Sequence, residues 1–449
     1  MKIKFLGAIG EVTGSSYLLT TDDGQQVLID LGMFQGSAEV SRLNHRPLGF
    51  EATKLAGVVL THAHLDHCGR LPLLVKAGYQ GPVYMTQATK ELTELSLYDT
   101  AKVAKENEAE GGYPPMYSEE DVAKLLALVT TVGYDRDLNL AGLKIVFHDA
   151  GHILGSASIE MISAKGEKIV FSGDLGNSPE DLIQPTETFN EADVVVMEST
   201  YGDQLHTLEN PKEIMRQEIN EIEKTGGTLL IPAFSIERTQ EVLHDIDHLK
   251  KSGQVKQETL VFLDSPMAIK ATEVFKQHAE LYNRELAEHS KMDDPFDFPG
   301  LTVVEAGWQS RKIKEIDRPK VIIAGSGMMS GGRIMGHAAD FLPLVKTRVL
   351  IVGYMAENTL GRALLNGEKQ VSIGRIQVEV KANIRVTTVM SAHADQLKLL
   401  LWLKKIKGVK KVFLTHGEEV ARLAFAEKIK EGVVFPEVIL PKMNEEIEL

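Results

Sequence analysis

Residues 61–69 of this 449-residue chain read THAHLDHCG, directly after the apolar run GVVL at 57–60. The stretch brings His62, His64, Asp66 and His67 together at the end of a predicted buried strand. Loops at strand ends hold side chains on a rigid scaffold, where several of them can converge on one point. Imidazole nitrogens suit zinc, and a carboxylate adds an oxygen ligand. The stretch therefore predicts a metal site rather than an incidental polar loop.

Two later motifs also lie directly after predicted apolar strands. His152 lies in DAGHILGS after the apolar strand LKIVFH, and Asp174 lies in FSGDLG after another apolar strand. Either residue alone would more often be an ordinary turn residue. Because three such motifs follow predicted strands in one chain, we expect them to contribute to the same metal site.

The order of these motifs resembles that of the metallo-β-lactamase superfamily. The resemblance implies a four-layered αββα sandwich with metals at one edge of its sheets. It also implies two zinc ions with the following ligands: His62, His64 and His152 for the first, Asp66, His67 and a later histidine for the second, and Asp174 between them. Asp30, in LIDLG, matches a carboxylate that supports such a site from outside, although a role as a strand-end cap fits it equally well.

Three further motifs narrow the resemblance to the β-CASP nucleases. MESTYGD at 197–203, SAHAD at 391–395 and THGE at 415–418 match motifs A to C of that family, which supply Glu198, His393 and His416. The segments PAFSIERTQE, LDSPMAIKA and AGSGMMSGGR are also similar to β-CASP segments. With His416 as the later histidine, the resemblance is strongest to bacterial and archaeal ribonucleases related to the pre-mRNA 3′-end endonuclease.

The pattern of predicted strands and helices changes where the β-CASP domain is expected. From about residue 208, apolar strands such as TLLIP alternate with helical segments, which predicts a parallel sheet covered on both faces. The predicted fold class is α/β (α+β), an αββα sandwich with this domain inserted. The expected segments are 1–207 and 371–449 for the metallo-β-lactamase domain and 208–370 for the β-CASP domain.

The amino-acid composition limits the class of protein and the cellular compartment that we expect. With 43% hydrophobic and 25% charged residues, the chain is typical of a globular protein. It contains no run of about 20 apolar residues, the length that spans a membrane. The start lacks the pattern of a signal peptide, and a single cysteine, Cys68, suits a reducing cytoplasm. The net charge of −14 argues against a general nucleic-acid coat, but not against an enzyme that holds phosphates through a local groove and bound cations.

Several of these residues have expected roles in phosphodiester hydrolysis. Asp66 and Asp174 can orient an attacking hydroxide held between two metals. His393 is the expected general acid, because imidazole titrates near neutrality, and Glu198 would support its charged form. The alternative for SAHAD is a purely structural cap, with Asp395 at the start of a helix. The residues expected to bind substrate phosphate are Ser326, Gly327, Arg333 and Ser391, although the glycine-rich loop also fits a tight strand-to-helix turn.

The resulting prediction is a ribonuclease with two Zn²⁺ ions that cuts single-stranded RNA in RNA processing or decay. Endonucleolytic cleavage is favoured, with 5′ exonuclease activity and a homodimer left open. Three alternatives were weighed: a small-molecule hydrolase, a β-CASP DNA nuclease and a catalytically dead RNA-binding subunit. The inserted domain argues against the first. DNA-directed members of the family typically carry valine where this chain has His416, and a dead subunit would lack metal ligands that are present here.

Overall fold

The computed structural model describes residues 1–36, 38–109, 113–177, 182–431 and 436–449. The described residues form two compact units. The first combines residues 1–205 with residues 393–449, and the second spans residues 206–392.

Within the described ranges, the amino-terminal part of the first unit contains eleven strands and five α-helices. The strands are β1 Lys2–Gly7, β2 Ser16–Thr20, β3 Gln26–Ile29, β4 Leu55–Val59, β5 Val83–Met85, β6 Val129–Thr131, β7 Leu138–Leu140, β8 Leu143–Asp149, β9 Ala157–Ile162, β10 Lys168–Phe171 and β11 Val194–Glu198. The helices are α1 Ala38–Ser41, α2 Leu65–Cys68, α3 Pro72–Lys76, α4 Gln87–Ala109 and α5 Glu119–Leu126.

The second unit and the carboxyl-terminal part of the first follow in the chain. The strands of the second unit are β12 Thr228–Pro232, β13 Leu260–Leu263, β14 Leu301–Val303, β15 Lys320–Ala324, β16 Thr347–Ile351, β17 Gln370–Ile373, β18 Ile376–Glu379 and β19 Asn383–Val386. Its helices are α6 Pro211–Thr225, α7 Arg238–Lys251, α8 Pro266–Gln277, α9 Arg284–His289, α10 Gly307–Lys312, α11 Arg333–Phe341 and α12 Leu360–Leu365. The chain then adds β20 Lys411–Thr415, β21 Glu437–Ile439 and β22 Glu446–Glu448 with α13 Gln396–Lys405 and α14 Glu419–Lys430.

The first unit is a sandwich of two seven-stranded sheets, ordered β22-β1-β2-β3-β4-β5-β6 and β21-β20-β11-β10-β9-β8-β7. Phe5 packs against Phe413 between the sheets, with ring centroids 5.1 Å apart. Leu97 of α4 covers the outer face of the first sheet, and Trp402 of α13 covers that of the second. Full burial of one such large apolar side chain contributes about 1.5–3 kcal/mol. The predicted αββα sandwich is confirmed.

The second unit is built on a parallel sheet in the order β14-β13-β15-β12-β16-β19. Successive residues such as Leu229 and Leu230 are both fully buried, because α6 covers one face and α11 the other. Helix α6 begins where the side chain of Asn210 accepts hydrogen bonds from the backbone N–H groups of Lys212 and Glu213. The predicted parallel sheet flanked by helices is therefore present.

The second unit ends at Ala392, later than the expected boundary near residue 370. The reason is β19, which pairs in parallel with β16 from Arg348–Asn383 to Ile351–Val386. From sequence alone, this short strand was grouped with the carboxyl-terminal part of the metallo-β-lactamase domain. Its hydrogen bonds instead make it the edge of the second unit's sheet.

Candidate metal centre

The candidate metal ligands follow strands from both sheets of the first unit. The residues from His62 to His67 follow β4, while His152 follows β8, Asp174 follows β10 and His416 follows β20. Glycines let these loops approach closely. A Cβ added to Gly32 would lie 1.6 Å from the carbonyl oxygen of Asp66, and one added to Gly176 would lie 1.5 Å from that of Gly151. Only glycine fits at these two contacts.

Three histidines and Asp174 form the first group. Potential ligand atoms of His62, His64, His152 and Asp174 all lie within 4.8 Å of one another. Nε2 of His62 is 3.5 Å from Oδ2 of Asp174, and Nε2 of His152 is 3.7 Å from the same oxygen. Zinc bonds of about 2.0–2.1 Å in a tetrahedral site place neighbouring ligands roughly 3.4 Å apart. The spacing of this group therefore fits one metal ion.

A second group adjoins the first at Asp174. Asp66, His67 and His416 also have potential ligand atoms within 4.8 Å of one another. Nε2 of His416 lies 3.4 Å from Oδ2 of Asp66 and 3.6 Å from Oδ2 of Asp174. Nε2 of His67 lies 3.2 Å from the other oxygen of Asp174. Asp174 therefore faces both groups.

Several atoms of these groups are buried without a hydrogen bond to any residue that the structure describes. They include Nε2 of His62, Nε2 of His67 and both carboxylate oxygens of Asp174. A buried polar atom without a partner costs about 1–3 kcal/mol. A cation between these atoms would offset that cost, which is the observation that best fits the residues to a metal.

Asp174 and His62 are held in the forms that bind cations, whereas Asp174 and Asp30 outweigh burial and raise the pKa of His67. Burial alone would raise the pKa of Asp174, but His416, His67 and His62 outweigh it and hold this pKa well below its usual range. Burial lowers the pKa of His62, and the neighbouring His67 lowers it further. Asp174 is therefore ionised and His62 neutral near pH 7, as metal ligands must be.

The side chains of Asp30 and Thr61 both contact Nδ1 of His67. Oδ2 of Asp30 accepts a hydrogen bond from Nδ1 of His67 at 2.7 Å, which directs Nε2 toward Asp174. Asp30 also accepts hydrogen bonds from the backbone N–H and the hydroxyl of Thr61, both at 2.8 Å. The sequence is compatible with two roles for Asp30, a strand-end cap or a carboxylate that supports the metal site from outside. These contacts match the second role. Carboxylates that orient ligating histidines in this way raise their basicity.

Glu198 and His393 adjoin the second group. Oε2 of Glu198 lies 3.3 Å from Nδ1 of His393, and Oε1 accepts a hydrogen bond from the backbone N–H of Leu175 at 2.6 Å. Burial alone would lower the pKa of His393, but Glu198, followed by Asp174 and Asp66, raises it to about 9. Asp395 caps α13 by accepting a hydrogen bond from the backbone N–H of Lys398, as expected.

Thr200 lies in motif A but was not among the site residues predicted from the sequence. Its hydroxyl donates to Oε2 of Glu198 at 2.6 Å and lies 3.0 Å from Nδ1 of His416. It therefore links the carboxylate beside His393 to a candidate metal ligand. Thr61 was missed in the same way, since its hydroxyl lies 3.1 Å from Nδ1 of His62. Threonine is too common for either residue to stand out, although each lies within a quoted motif.

The four residues expected to bind substrate phosphate belong to the second unit. The Arg333 guanidinium donates to Oδ1 of Asp264 at 2.6 Å and to the carbonyl oxygen of Val304 at 2.7 Å. Gly327 packs on Phe234, whose ring lies 2.5 Å from where a Cβ would stand. Ser326 accepts a hydrogen bond from the backbone N–H of Ser330, and Ser391 donates its own N–H to the carbonyl oxygen of Thr388.

Three family models match successive parts of the chain. Residues 9–214 match the metallo-β-lactamase superfamily, residues 239–364 match the Beta-Casp domain, and residues 377–440 match the Zn-dependent metallo-hydrolase RNA specificity domain. The chain is 38% identical over 432 residues to ribonuclease TTHA0252 of Thermus thermophilus, and the match covers 95% of each protein.

This chain belongs to the β-CASP ribonuclease family of the metallo-β-lactamase superfamily. As a family member it is a metal-dependent hydrolase, and the two groups of histidines and aspartates are its candidate metal-binding residues. The recognition made from the sequence motifs is thereby confirmed.

Other relatives place this β-CASP protein in the same family. It is 33% identical over 429 residues to transcription termination factor FttA of Cenarchaeum symbiosum, covering 92% of this chain and 65% of that protein. It is 29% identical over 447 residues to the RNase J-like protein of Methanocaldococcus jannaschii, covering 97% and 96%. A crystal structure of a protein of unknown function from Enterococcus faecalis shares the fold, with a TM-score of 0.56 at 13% identity over 100% of this chain and 99% of that one.

Two minor expectations can also be compared with the structure. No helix in the described ranges combines the length and apolar character needed to cross a membrane. Cys68 is fully buried, as expected for a packing residue, and its thiol donates to the carbonyl oxygen of Ala63 at 3.3 Å.

Proposed function

We propose that this protein is a zinc-dependent ribonuclease that hydrolyses phosphodiester bonds of single-stranded RNA with two metal ions. The observation that carries the proposal is the pair of adjoining ligand groups that share Asp174. Imidazole and carboxylate ligands together suit zinc. Two such groups with one shared carboxylate fit two ions better than a single closed structural site, which needs only four ligands.

The ligands are proposed as expected from the resemblance. His62, His64 and His152 would hold one ion, Asp66, His67 and His416 the other, and Asp174 would bridge them. Zinc in this site would supply a water ligand with a pKa near about 7 and positive charge for the scissile phosphate. Asp66 and Asp174 accept hydrogen bonds from the attacking water and orient it.

The leaving oxygen receives its proton from His393 in this proposal. His393 is 18% exposed, whereas Glu198 behind it is fully buried, so the imidazole stands between that carboxylate and solvent. Glu198 keeps the ring in place and favours its protonated form. Ser326, Gly327, Arg333 and Ser391 remain proposed contacts to the RNA phosphates.

Three observations favour RNA over DNA as the substrate. The relatives include proteins called ribonuclease TTHA0252 and RNase J-like protein, and residues 377–440 match an RNA specificity domain. His416 stands at the position where DNA-directed members typically carry valine. We place this activity in cytoplasmic RNA processing or decay, primarily as an endonuclease, with 5′ exonuclease activity and a homodimer as further expectations.

The test is cleavage of single-stranded RNA and DNA of one sequence, labelled internally or at either end. We expect RNA to be cut much faster than DNA, with products that begin at internal positions. Asp174→Ala is the control for a contaminating nuclease, because it should abolish the activity. Equal rates on RNA and DNA, or cleavage of neither polymer by the zinc-loaded protein, would refute the proposal.

A further inference from the structure

One of the two tryptophans of the chain lies on the surface of the second unit. Trp308, in the first turn of α10, is 56% exposed, whereas Trp402 is buried in the core of the first unit. Aromatic side chains contribute a large contact area to interfaces, and tryptophan is among the residues that carry most of the binding energy there. The exposed ring of Trp308 is therefore a candidate for a binding contact.

Trp308 follows the carboxyl end of a strand in the parallel sheet. Residues 304–306 join β14 to α10, and the glycine-rich loop follows β15 in the same way. Because β14, β13 and β15 are parallel neighbours, their carboxyl ends lie at one edge of the sheet. Open α/β sheets bind their ligands outside the carboxyl ends of the strands. The proposed phosphate contacts Ser326, Gly327 and Arg333 follow β15 at this same edge.

Helix α10 is fixed to the residues of this edge. The Arg333 guanidinium donates hydrogen bonds to the carbonyl oxygens of Val304 and Glu305, directly before α10. The hydroxyl of Ser310, within α10, donates to Oδ2 of Asp264, the carboxylate that also pairs with Arg333. A ring that stands on a fixed helix has less conformational freedom to lose on binding than one on a loose loop. The scaffold of Trp308 is thus already in place.

Positive charge accompanies the ring, although the chain as a whole is acidic. Nζ of Lys312 lies 5.0 Å from the centroid of the Trp308 ring. Arg311 is exposed as well, and neither cation forms an ion pair with a residue that the structure describes. Residues 305–320 contain five lysines and arginines against three aspartates and glutamates, in a chain of net charge −14. An aromatic ring beside unpaired cations is the combination that binds single-stranded nucleic acid.

We propose that Trp308 stacks on an unpaired base of single-stranded RNA, while Arg311 and Lys312 attract the neighbouring phosphates. This inference rests on the proposed ribonuclease function, which names RNA as the substrate, and adds a contact that binds a base rather than the backbone. Every base has a π-face, so the contact accepts any sequence. The bases of a duplex are stacked on one another, so the contact also selects single strands.

The first test is the tryptophan fluorescence of the full, zinc-loaded chain, recorded by rapid mixing before cleavage proceeds. The probe is an oligoadenylate of about ten nucleotides, within the range of about 4–16 that one single-strand-binding fold covers. A base stacked on an indole ring quenches its fluorescence, so saturating oligoadenylate should quench Trp308 and leave the buried Trp402 unchanged. Trp308→Phe should bind equally well without quenching. Undiminished fluorescence of the unaltered protein overturns the proposal.

The salt dependence of binding tests the two cations. Each phosphate contact of a single strand lowers the logarithm of the affinity by about 0.7 per logarithmic unit of salt concentration. Arg311→Gln and Lys312→Gln, combined in one protein, should therefore reduce this slope by about 0.7 for every contact that is lost, while quenching of Trp308 persists. An unchanged slope overturns the role proposed for these cations.

Cleavage kinetics separate this inference from the proposed function. Trp308→Ala should raise the KM for single-stranded RNA by about 5-fold or more, the scale of one base–aromatic stack, with its zinc content unchanged. Trp308→Phe should restore the KM, and Tyr113→Ala, at an exposed aromatic residue of the first unit, is the matched control that should keep it. Equal KM values for Trp308→Ala and Tyr113→Ala, with RNA still cut, overturn the stacking contact and leave the ribonuclease standing. If the unaltered protein cuts no RNA, the proposed function fails, and quenching by oligoadenylate decides the contact separately.

Discussion

Nδ1 of His393 lies 3.3 Å from Oε2 of Glu198, and the same carboxylate oxygen accepts a hydrogen bond from the hydroxyl of Thr200 at 2.6 Å. The Glu198 carboxylate is fully buried, so His393 rests against a fixed negative charge at the margin of the metal groups. Nδ1 of His393 also lies 3.8 Å from Oδ2 of Asp174, so the proposed proton donor adjoins the proposed metal ligands, but its proposed role differs from theirs. The two roles can therefore be tested by different substitutions.

His393→Ala should keep its zinc and its affinity for RNA but lose rate by roughly 100-fold or more, the scale of general acid catalysis. Asp174→Ala should lose zinc as well as rate, because it removes the carboxylate that faces both groups. Glu198→Gln should resemble His393→Ala in a milder form, since it only weakens the support of the imidazolium. Zinc analysis, RNA binding and single-turnover cleavage measure the three properties.

An RNA with a phosphorothiolate leaving group separates proton donation from other causes of lost rate, because sulfur departs readily without a proton. This substrate should restore much of the rate in His393→Ala and almost none in Asp174→Ala. If His393→Ala loses zinc, or gains nothing from the better leaving group, His393 is structural and another residue is the acid.

Substitution of Asp30 should weaken the metal site without removing a ligand. Asp30 contacts Nδ1 of His67 and both polar groups of Thr61, but neither of its oxygens belongs to the ligand groups. Loss of such an outer partner lowers metal affinity by about 10–100-fold. We therefore expect Asp30→Ala to need correspondingly more free zinc for half-maximal activity, while Asp23→Ala in an exposed turn should not. Equal zinc requirements in the two variants would contradict the assigned role.

Arg333→Met tests whether this arginine supports the fold or the substrate. Its guanidinium pairs with the buried carboxylate of Asp264, which His337 also contacts at 2.6 Å. Leaving a buried polar group less satisfied costs about 1–3 kcal/mol. We expect Arg333→Met to lower the free energy of unfolding by that amount in urea. A raised KM for RNA beside that loss would support the proposed phosphate contact of Arg333, whereas unchanged stability would contradict its structural role.

The pH dependence of this stabilisation follows from Asp264. Burial alone would raise the pKa of Asp264, but His337, Ser310 and Arg333 outweigh it, so the pKa is lowered in the folded protein. The stabilisation is therefore present above the unfolded pKa of about 3.9 and is lost as the pH falls through the folded value. The difference in stability between Arg333→Met and the unaltered protein should accordingly shrink in acid.

The metal site could be predicted from sequence because its residues carry rare combinations. THAHLDHCG joins several ligand types after one strand, and His152, Asp174 and His416 each follow another strand. Strand ends of one sandwich meet at one edge, so residues distant in sequence converge there. The cap of α13 by Asp395 was predictable for a local reason, since it needs only the backbone N–H of Lys398.

Other features depend on long-range contacts that sequence patterns do not record. Thr200 matters through its hydroxyl contacts with Glu198 and His416, and Arg333 through its pairing with Asp264. The strand Asn383–Val386 has an ordinary strand pattern, and only its pairing with β16 assigns it to the second unit.

The central claim is hydrolysis of RNA by two zinc ions at the groups that share Asp174, and a zinc titration of cleavage tests it most directly. Zinc-free protein is used, and zinc is added back in known amounts. The rate of RNA cleavage should reach its maximum only at about two zinc equivalents per chain, as a two-metal mechanism requires. A maximal rate already at about one equivalent, with no further increase, would contradict that mechanism.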